Sequence, residues 1–243
     1  MKKNDIVTVI TIVYNNVSCI ETTLKSVLSQ SYKNIEYIVI DGASTDGTLN
    51  IIEKYADRIS KIVSEPDKGI YNAMNKGVRL ATGEWILFIN SGDSLCSNDA
   101  IETVVRNIPD KAIDVLYGNV NMQYADKEVC QESDNDLSSF SKYMPIFHPA
   151  TLVKSSLLKA ALFDESYKVA ADYKFFYNLY LSGAVFHKIN CCISNFEAED
   201  GISNKNIILA MKENFKVRAL EKKYIWIPKY CLYFMYMKLI KKR

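Results

Sequence analysis

The stretch FINSGD, residues 88 to 93, brings the apolar run EWILFI (84 to 89) to an end at a single carboxylate, Asp93. Asn, Ser, Gly and Asp favour turns, because they tolerate left-handed backbone or hydrogen-bond their own chain, so Asp93 either shapes a turn or holds a charge. Three other apolar runs end in the same manner. IVTVITIV (6 to 13) stops at YNN (14 to 16), IEYIVI (35 to 40) at DGASTDGT (41 to 48), and SKIV (60 to 63) at SEPDKG (64 to 69). The four ends carry the carboxylates of Asp41, Asp46, Glu65, Asp67 and Asp93, the amides of Asn15 and Asn90, and the ammonium of Lys68. If the runs are neighbouring strands, these groups line the edge at which open α/β sheets bind their ligands.

The elements that would place them follow from the pattern between the runs. Each run is rich in β-branched residues and bounded by turn signals, as buried strands are. Helical periodicity separates them at 17 to 30, 46 to 57 and 70 to 82. In the last, Ile70, Ala73, Met74, Gly77, Val78 and Ala81 form one apolar stripe, with Tyr71, Asn72, Asn75, Lys76 and Arg79 opposite and Gly83 placed as a C-cap. Strands alternating with helices predict an α/β fold: a Rossmann-like, mainly parallel sheet with flanking helices. Further on, 113 to 124 reads as a strand or hairpin and 125 to 139 as an acidic loop. Helices are expected at 153 to 162, 172 to 183 and 205 to 223, with a strand at 185 to 189 and a loop at 196 to 203. No repeat or interdomain linker interrupts the pattern.

Composition excludes several classes. With 49% hydrophobic and 24% charged residues in a chain of 243, the sequence is globular and able to bury a sizeable core. The net charge of +2 hides an asymmetry: residues 212 to 243 hold ten Lys/Arg against two Asp/Glu, so a tail of +8 follows a body of −6. Six cysteines without C-x-x-C spacing and only two histidines argue against a zinc site. No secretory leader is evident and YCLYFMYM (230 to 237) is too short to span a bilayer, so a cytoplasmic protein with reduced thiols is expected. No nucleic-acid partner is expected.

Five segments then carry a family resemblance: TVITIVYN, IDGASTDGT, EPDKGIYNAMNKGVRLATGEWILFINSGD, FHPATLVKSSLLKAALFDESYKVAADYKFF and EDGIS. In that order, on that alternating pattern, the chain resembles an inverting family 2 glycosyltransferase of GT-A fold, the group that includes bacterial O-antigen, capsule and exopolysaccharide enzymes. The resemblance implies a catalytic domain over 1 to 205, with a nucleotide-binding half at about 1 to 122 and an acceptor half at about 123 to 205. Residues 206 to 243 would be a basic, aromatic helical extension. A nucleotide-sugar donor and a glycan or lipid-linked acceptor are the implied partners, with UDP and GDP both open.

Roles follow residue by residue from that resemblance. Asp41 would contact the nucleobase, accepting from the imino N–H that uracil and guanine share, or else cap its own turn; Thr11, Tyr14 and Asn15 would line the neighbouring strand end. FINSGD stands where the family carries a D-x-D-like cluster that binds Mn²⁺ or Mg²⁺ on the donor diphosphate, hard cations preferring oxygen ligands. Here Asn90 and Gly92 occupy the earlier acidic positions, and Asp93 alone keeps a charge. Metal ligation, a ribose contact and a plain turn are its alternatives, while Asn90 would bond the ribose or offer a carbonyl oxygen. Lys68 would meet phosphate or remain a solvated charge, and Asn75 matches the family's amide near the donor.

Asp172, in KVAADYKFF, occupies the place of the base that takes the proton from the attacking hydroxyl, at a helix start whose dipole favours the ionised form. Asp200, in EAEDGIS, is the runner-up. His148 in FHPAT is an acceptor contact, an extra metal ligand or a satisfied polar residue; His187 reads as structural. The C-terminal YIWIPKYCLYFMYMKLIKKR suits peripheral contact with an anionic membrane on its cytoplasmic face, or a helix packed on the domain. A non-catalytic nucleotide-sugar-binding subunit remains an alternative, as does a nucleotidyltransferase, although VYNNVSC lacks the Gly and Lys of its phosphate loop.

Overall fold

The structure, a computed structural model, describes residues 5–109, 112–124, 126–197 and 206–218. The four apolar runs form β1 (Val7–Val13), β2 (Ile35–Asp41), β3 (Lys61–Ser64) and β4 (Trp85–Phe88), joined through α1 (Ile20–Leu28), α2 (Thr48–Glu53) and α3 (Ile70–Leu80). They pair in parallel in the order β3-β2-β1-β4. Side chains of a strand alternate between faces, and here both faces are covered. Val7, Val9 and Val13 of β1 join a cluster with Ile20, Leu24 and Val27 of α1, while Ile10 and Ile12 join a second cluster with Met74 and Val78 of α3. All four strand ends therefore open along one edge of the sheet.

The second half comprises β5 (Ser94–Leu95), α4 (Ala100–Arg106), β6 (Val115–Gln123), β7 (Glu128–Gln131), β8 (Thr151–Lys154), α5 (Ser155–Ala160), α6 (Ala171–Leu181), β9 (Phe186–Glu197) and α7 (Ile207–Val217). Among the described residues the full order is β3-β2-β1-β4-β8-β6-β9-β5, with β7 on the remaining length of β6. Here the expectation of a mainly parallel sheet gives way to mixed pairing. β8 runs antiparallel to both β4 and β6, β7 to β6 and β5 to β9, while β6 and β9 are parallel. Residues 151 to 154, partly expected as helix, are extended because Leu152 and Val153 fill the buried slot between β4 and β6. The strand predicted at 185 to 189 continues to Glu197, and the acidic loop contains β7.

Two glycines set close approaches. A Cβ on Gly77 would stand 2.6 Å from Ile10 Cγ2, so the missing side chain is what lets α3 lie on β1. Gly83, expected as a C-cap, lies beyond the cap residue Ala81, whose backbone is not left-handed. Its smallness instead admits the Ile6 carbonyl and the Thr8 hydroxyl, each 2.6 Å from where its Cβ would be. No helix among the described residues is long and apolar enough to cross a membrane. The tail from 219 to 243 lies outside the described residues.

Gly77→Ala should overpack the α3–β1 contact and destabilise the fold by about 1–3 kcal/mol, despite alanine's better helix propensity. Urea denaturation measures it. An unchanged or raised midpoint would show that α3 can lift off β1 freely.

Candidate active site

At the end of β2, Asp41 is wholly buried and hydrogen-bonded. Its carboxylate accepts the Ser44 N–H (3.1 and 3.3 Å to its two oxygens) and the Ser64 hydroxyl at 2.6 Å, bracing the β2–α2 turn against β3. The facing β1–α1 loop interlocks with that turn. Asn15 Oδ1 accepts the Thr45 N–H at 2.8 Å, the Asn15 N–H donates to Ser44 Oγ at 2.8 Å, and Val17 N–H donates to Asp46. Asn15 and Ala43 both have positive φ, 48° and 61°, a conformation that costs side-chain-bearing residues and is retained here at the strand ends. Gly42 allows a close approach there: a Cβ on it would lie 3.0 Å from Asp67 Oδ2 and 3.2 Å from the exposed Tyr14 ring. Thr11 takes no part in it. That hydroxyl is buried in the sheet, donating to the Ile89 carbonyl at 2.7 Å and bonded to the Tyr37 hydroxyl.

The β3–α3 segment is fastened by Lys76, whose ammonium meets Asp67 at 2.7 Å, Glu65 at 2.8 Å and the Pro66 carbonyl at 3.0 Å. This explains the two acids of EPD without a ligand. Lys68 is exposed at the start of α3, in a small cleft that Gly69, Tyr71, Asn72, Glu165 and Lys168 also line. Asn75, expected on a polar face near the donor, is buried instead. It bonds both backbone groups of Phe163 and the Glu165 carboxylate, so its amide serves the fold.

At the end of β4, Gly92 has φ 107° and the Asp93 N–H closes a turn onto the Asn90 carbonyl at 2.9 Å. The Asp93 side chain is 6% exposed and accepts the Glu197 N–H at 3.2 Å. Burial pushes its pKa up to about 7, with the charge of Glu197 adding to the rise. Beside it, Asn90 Oδ1 and Ser91 Oγ are buried without a hydrogen-bond partner among the described residues. These atoms are hard oxygen donors of the kind a divalent cation takes, and a cation would keep Asp93 ionised. Among the described residues no three His, Cys, Asp or Glu side chains come together to hold a metal.

The second centre sits at the start of α6. Tyr71 of α3, expected to face outward, is buried and donates its hydroxyl to Asp172 Oδ1 at 3.0 Å. Burial and the Asp172 charge hold the phenol well above its usual pKa, so it remains a donor. His148 Nδ1 lies 3.7 Å from Asp172 Oδ2, its ring enclosed by Phe88, Phe163 and Phe176. Burial depresses the imidazole pKa, against the opposing pull of Asp172. The Asp172 carboxylate itself is 20% exposed, reachable by a ligand. Asp172 and His148 thus come together, with Tyr71 as the member that spacing missed; Phe88 ties them to β4 two residues before Asn90. Asp200 lies outside the described residues.

Residues 8–166 match the model described as glycosyl transferase family 2. The chain is 29% identical over 196 residues, 78% of its length and 76% of the relative's, to a PGL/p-HBAD biosynthesis glycosyltransferase of Mycobacterium bovis. It is 32% identical over 174 residues, 70% of its length and 66% of the relative's, to an uncharacterized glycosyltransferase of Mycobacterium tuberculosis. Among solved structures it is similar to S. aureus TarS 1–349 in complex with UDP-GlcNAc, with TM-score 0.70, 23% identity and coverage of 85% of this chain and 61% of that one. It is also similar to the mannosyltransferase PcManGT of Pyrobaculum calidifontis in complex with GDP-Man and Mn²⁺, with TM-score 0.64, 19% identity and the same coverages of 85% and 61%. The chain thus spans less than two thirds of either structure. At these identities the likeness is one of fold, and that fold is GT-A.

The raised pKa of Asp93 has a measurable consequence in metal-free protein. The folded chain holds a proton that the unfolded chain releases near pH 4, so this carboxyl's contribution to stability is full in acid and is lost as pH rises toward about 7. Asp93→Asn removes the titrating group. In EDTA it should be more stable than wild type by on the order of 1–3 kcal/mol at pH 8, the gap closing toward pH 4. Urea denaturation across that range checks this; parallel curves for the two proteins would mean that Asp93 ionises at no cost.

Proposed function

The chain belongs to glycosyl transferase family 2, and we propose that it moves a sugar from a nucleotide-sugar donor to an acceptor hydroxyl with inversion at the anomeric carbon. The cluster of Asp172, Tyr71 and His148 carries this reading. Tyr71 occupies Oδ1, and Oδ2 lies 3.7 Å from a His148 that burial keeps short of protons. Oδ2 takes the acceptor proton as the hydroxyl oxygen bonds the anomeric carbon and the bond to the diphosphate breaks. A single carboxylate base on one face suits an inverting displacement.

The donor half supports the same reading. Asp41 keeps lone-pair capacity beyond its Ser44 and Ser64 bonds, and in this reading it meets the nucleobase at the strand end where Tyr14 is exposed and Asn15 braces the β2–α2 turn. Lys68, exposed at the N-terminus of α3, would meet diphosphate as a point charge. Asp93 with Asn90 would hold a divalent cation, which when bound neutralises charge on the leaving diphosphate. That the neighbours bind UDP-GlcNAc in one case and GDP-Man with Mn²⁺ in the other favours a nucleotide-sugar donor and a metal. A lipid-linked or growing surface polysaccharide acceptor would meet the chain at an anionic membrane through the basic tail, which binding of the full chain to anionic vesicles tests. A second reading, a binder without turnover, rests on the depleted acidic cluster, and turnover of any donor excludes it.

Calorimetry with a panel of UDP- and GDP-sugars, in Mn²⁺ and in EDTA, is the first test. If Asp93 is the protein's carboxylate on the metal, nucleotide and Mn²⁺ bind with reciprocal coupling that Asp93→Asn abolishes. Equal metal dependence in both proteins would remove Asp93 from the metal site. Adding an acid by Gly92→Asp would be strained at φ 107° and is no substitute test.

Asp172→Asn should slow transfer by roughly 10² to 10⁴ with donor affinity unchanged. Near-normal turnover would move the base to another carboxylate, with Asp200 the next to test.

A further inference from the structure

We infer that Glu213, on α7 and outside the segment matched by the family model, is a positioning residue for the general base; this rests on the reading of Asp172 as that base. Among the described residues three carboxylates are buried: Asp41 and Asp93 at the strand ends, and Glu213, 8% exposed, far from both in sequence. Glu213 accepts three consecutive backbone N–H groups, Lys168 on Oε1 at 2.8 Å and Val169 and Ala170 on Oε2 at 2.8 and 3.0 Å. Ala170 is the N-cap residue of α6 and has no side chain with which to cap, and Asp172 lies two residues further on.

The first N–H groups of a helix need acceptors from elsewhere, normally a Ser, Thr, Asp or Asn at the cap. Glu213, from another helix, takes instead the N–H of the N-cap residue Ala170 and those of the two residues before it, so that its carboxylate lies in a cup of successive N–H groups of the kind that binds anions. The contact is fixed from both sides. Lys216, one turn along α7 from Glu213, sits with its ammonium 4.7 Å from the centre of the Tyr167 ring, and Arg218 reaches the Lys142 carbonyl. Tyr167 immediately precedes the clamped backbone. Lys174 of α6 stands 4.9 Å from the same ring and pairs with Asp164 at 2.6 Å, so the entry to α6 is held at several points around a single carboxylate.

Clamping 168 to 170 sets where the first turn of α6 begins, and hence where Asp172 stands relative to Tyr71. A reacting group displaced by about 1 Å can cost on the order of 10²-fold in rate. Glu213 touches neither donor nor acceptor in this scheme. It acts through Asp172.

The test uses the full chain with Glu213→Ala, and with Glu213→Gln as the milder variant that keeps volume and one acceptor oxygen should the first fail to fold. Hydrogen exchange reads the clamp directly: the amides of 168 to 170 should lose protection in Glu213→Ala and partly in Glu213→Gln, while β1 and β2 amides stay protected. With the sugar nucleotide that wild type turns over, kcat should fall roughly 10- to 100-fold while nucleoside diphosphate affinity is unchanged. In an Asp172→Asn background the same substitution should have no further effect on kcat. Unchanged protection at 168 to 170 overturns the clamp. An equal loss of kcat with and without Asp172, or a parallel loss of donor affinity, overturns the positioning role. Full activity in Asp172→Asn alone would instead sink the base assignment, and with it the catalytic link, while the exchange data still judge the clamp on their own.

Discussion

The Asn75 amide, buried between α3 and the chain that leads into α6, takes the Phe163 N–H at 2.9 Å and donates to the Phe163 carbonyl and the Glu165 carboxylate, each at 2.9 Å. Asn72, one turn earlier, donates to the other Glu165 oxygen at 2.9 Å. These bonds join two stretches of chain almost ninety residues apart. α3 carries Tyr71 and the loop delivers Asp172, so the hydroxyl meets the carboxylate only if the loop is seated on the helix. Removing the amide would leave two backbone groups of Phe163 buried without partners, at about 1–3 kcal/mol each. The helix in turn is located by the contact of Gly77 with Ile10, which carries the arrangement down to β1.

How far the sequence could be read depends on what kind of information each residue carries. β1 to β4 were legible because strands covered on both faces read as unbroken apolar runs, and α3 because its stripe repeats over three turns. The site's polar edge followed from those two patterns alone. Asn75 and Tyr71 were misplaced for one reason: periodicity separates polar from apolar positions, yet it does not say whether a polar face meets water or another segment. Their partners, Phe163, Glu165 and Asp172, lie in a part of the chain that local pattern does not connect to α3. Residues 151 to 154 are a similar case, since four residues set neither a helical nor a strand period and the slot between β4 and β6 decides. Asp172 and His148 became visible as chemistry through resemblance, not through spacing. Glu213 had no signal at all, being one acid on an unremarkable amphipathic helix.

The carboxylates of the site are set apart by how many donors each is given. Asp41 receives a backbone amide and a hydroxyl, enough to stay buried as a strut of the β2–α2 turn. Asp93, comparably buried, accepts the Glu197 N–H at 3.2 Å, and burial together with the charge of Glu197 raises its pKa. The difference is physical: a carboxylate in low dielectric is stable as an anion only in proportion to the hydrogen bonds and charges aimed at it. Asp41 is held in place by these bonds, whereas in the proposed metal site Asp93, beside Asn90 and Ser91 oxygens that have no hydrogen-bond partner among the described residues, is the group a cation would serve. Gly92, left-handed between them, is a position where any side chain, an acid included, would be strained.

Asp172, the proposed base, is placed differently from either. The structure gives it one phenol and a partly open surface. The phenol cannot take the proton's place as a charge, since its own ionisation is pushed upward by burial and by Asp172 itself. His148, though near, is 3.7 Å away and sealed among three aromatic rings, so protonating it would mean placing a cation among Phe88, Phe163 and Phe176. Burial depresses its pKa for that reason. The imidazole thus stands as a neutral wall 3.7 Å from Oδ2 while Tyr71 bonds Oδ1, an arrangement that the proposed approach of an acceptor hydroxyl to Oδ2 has to fit.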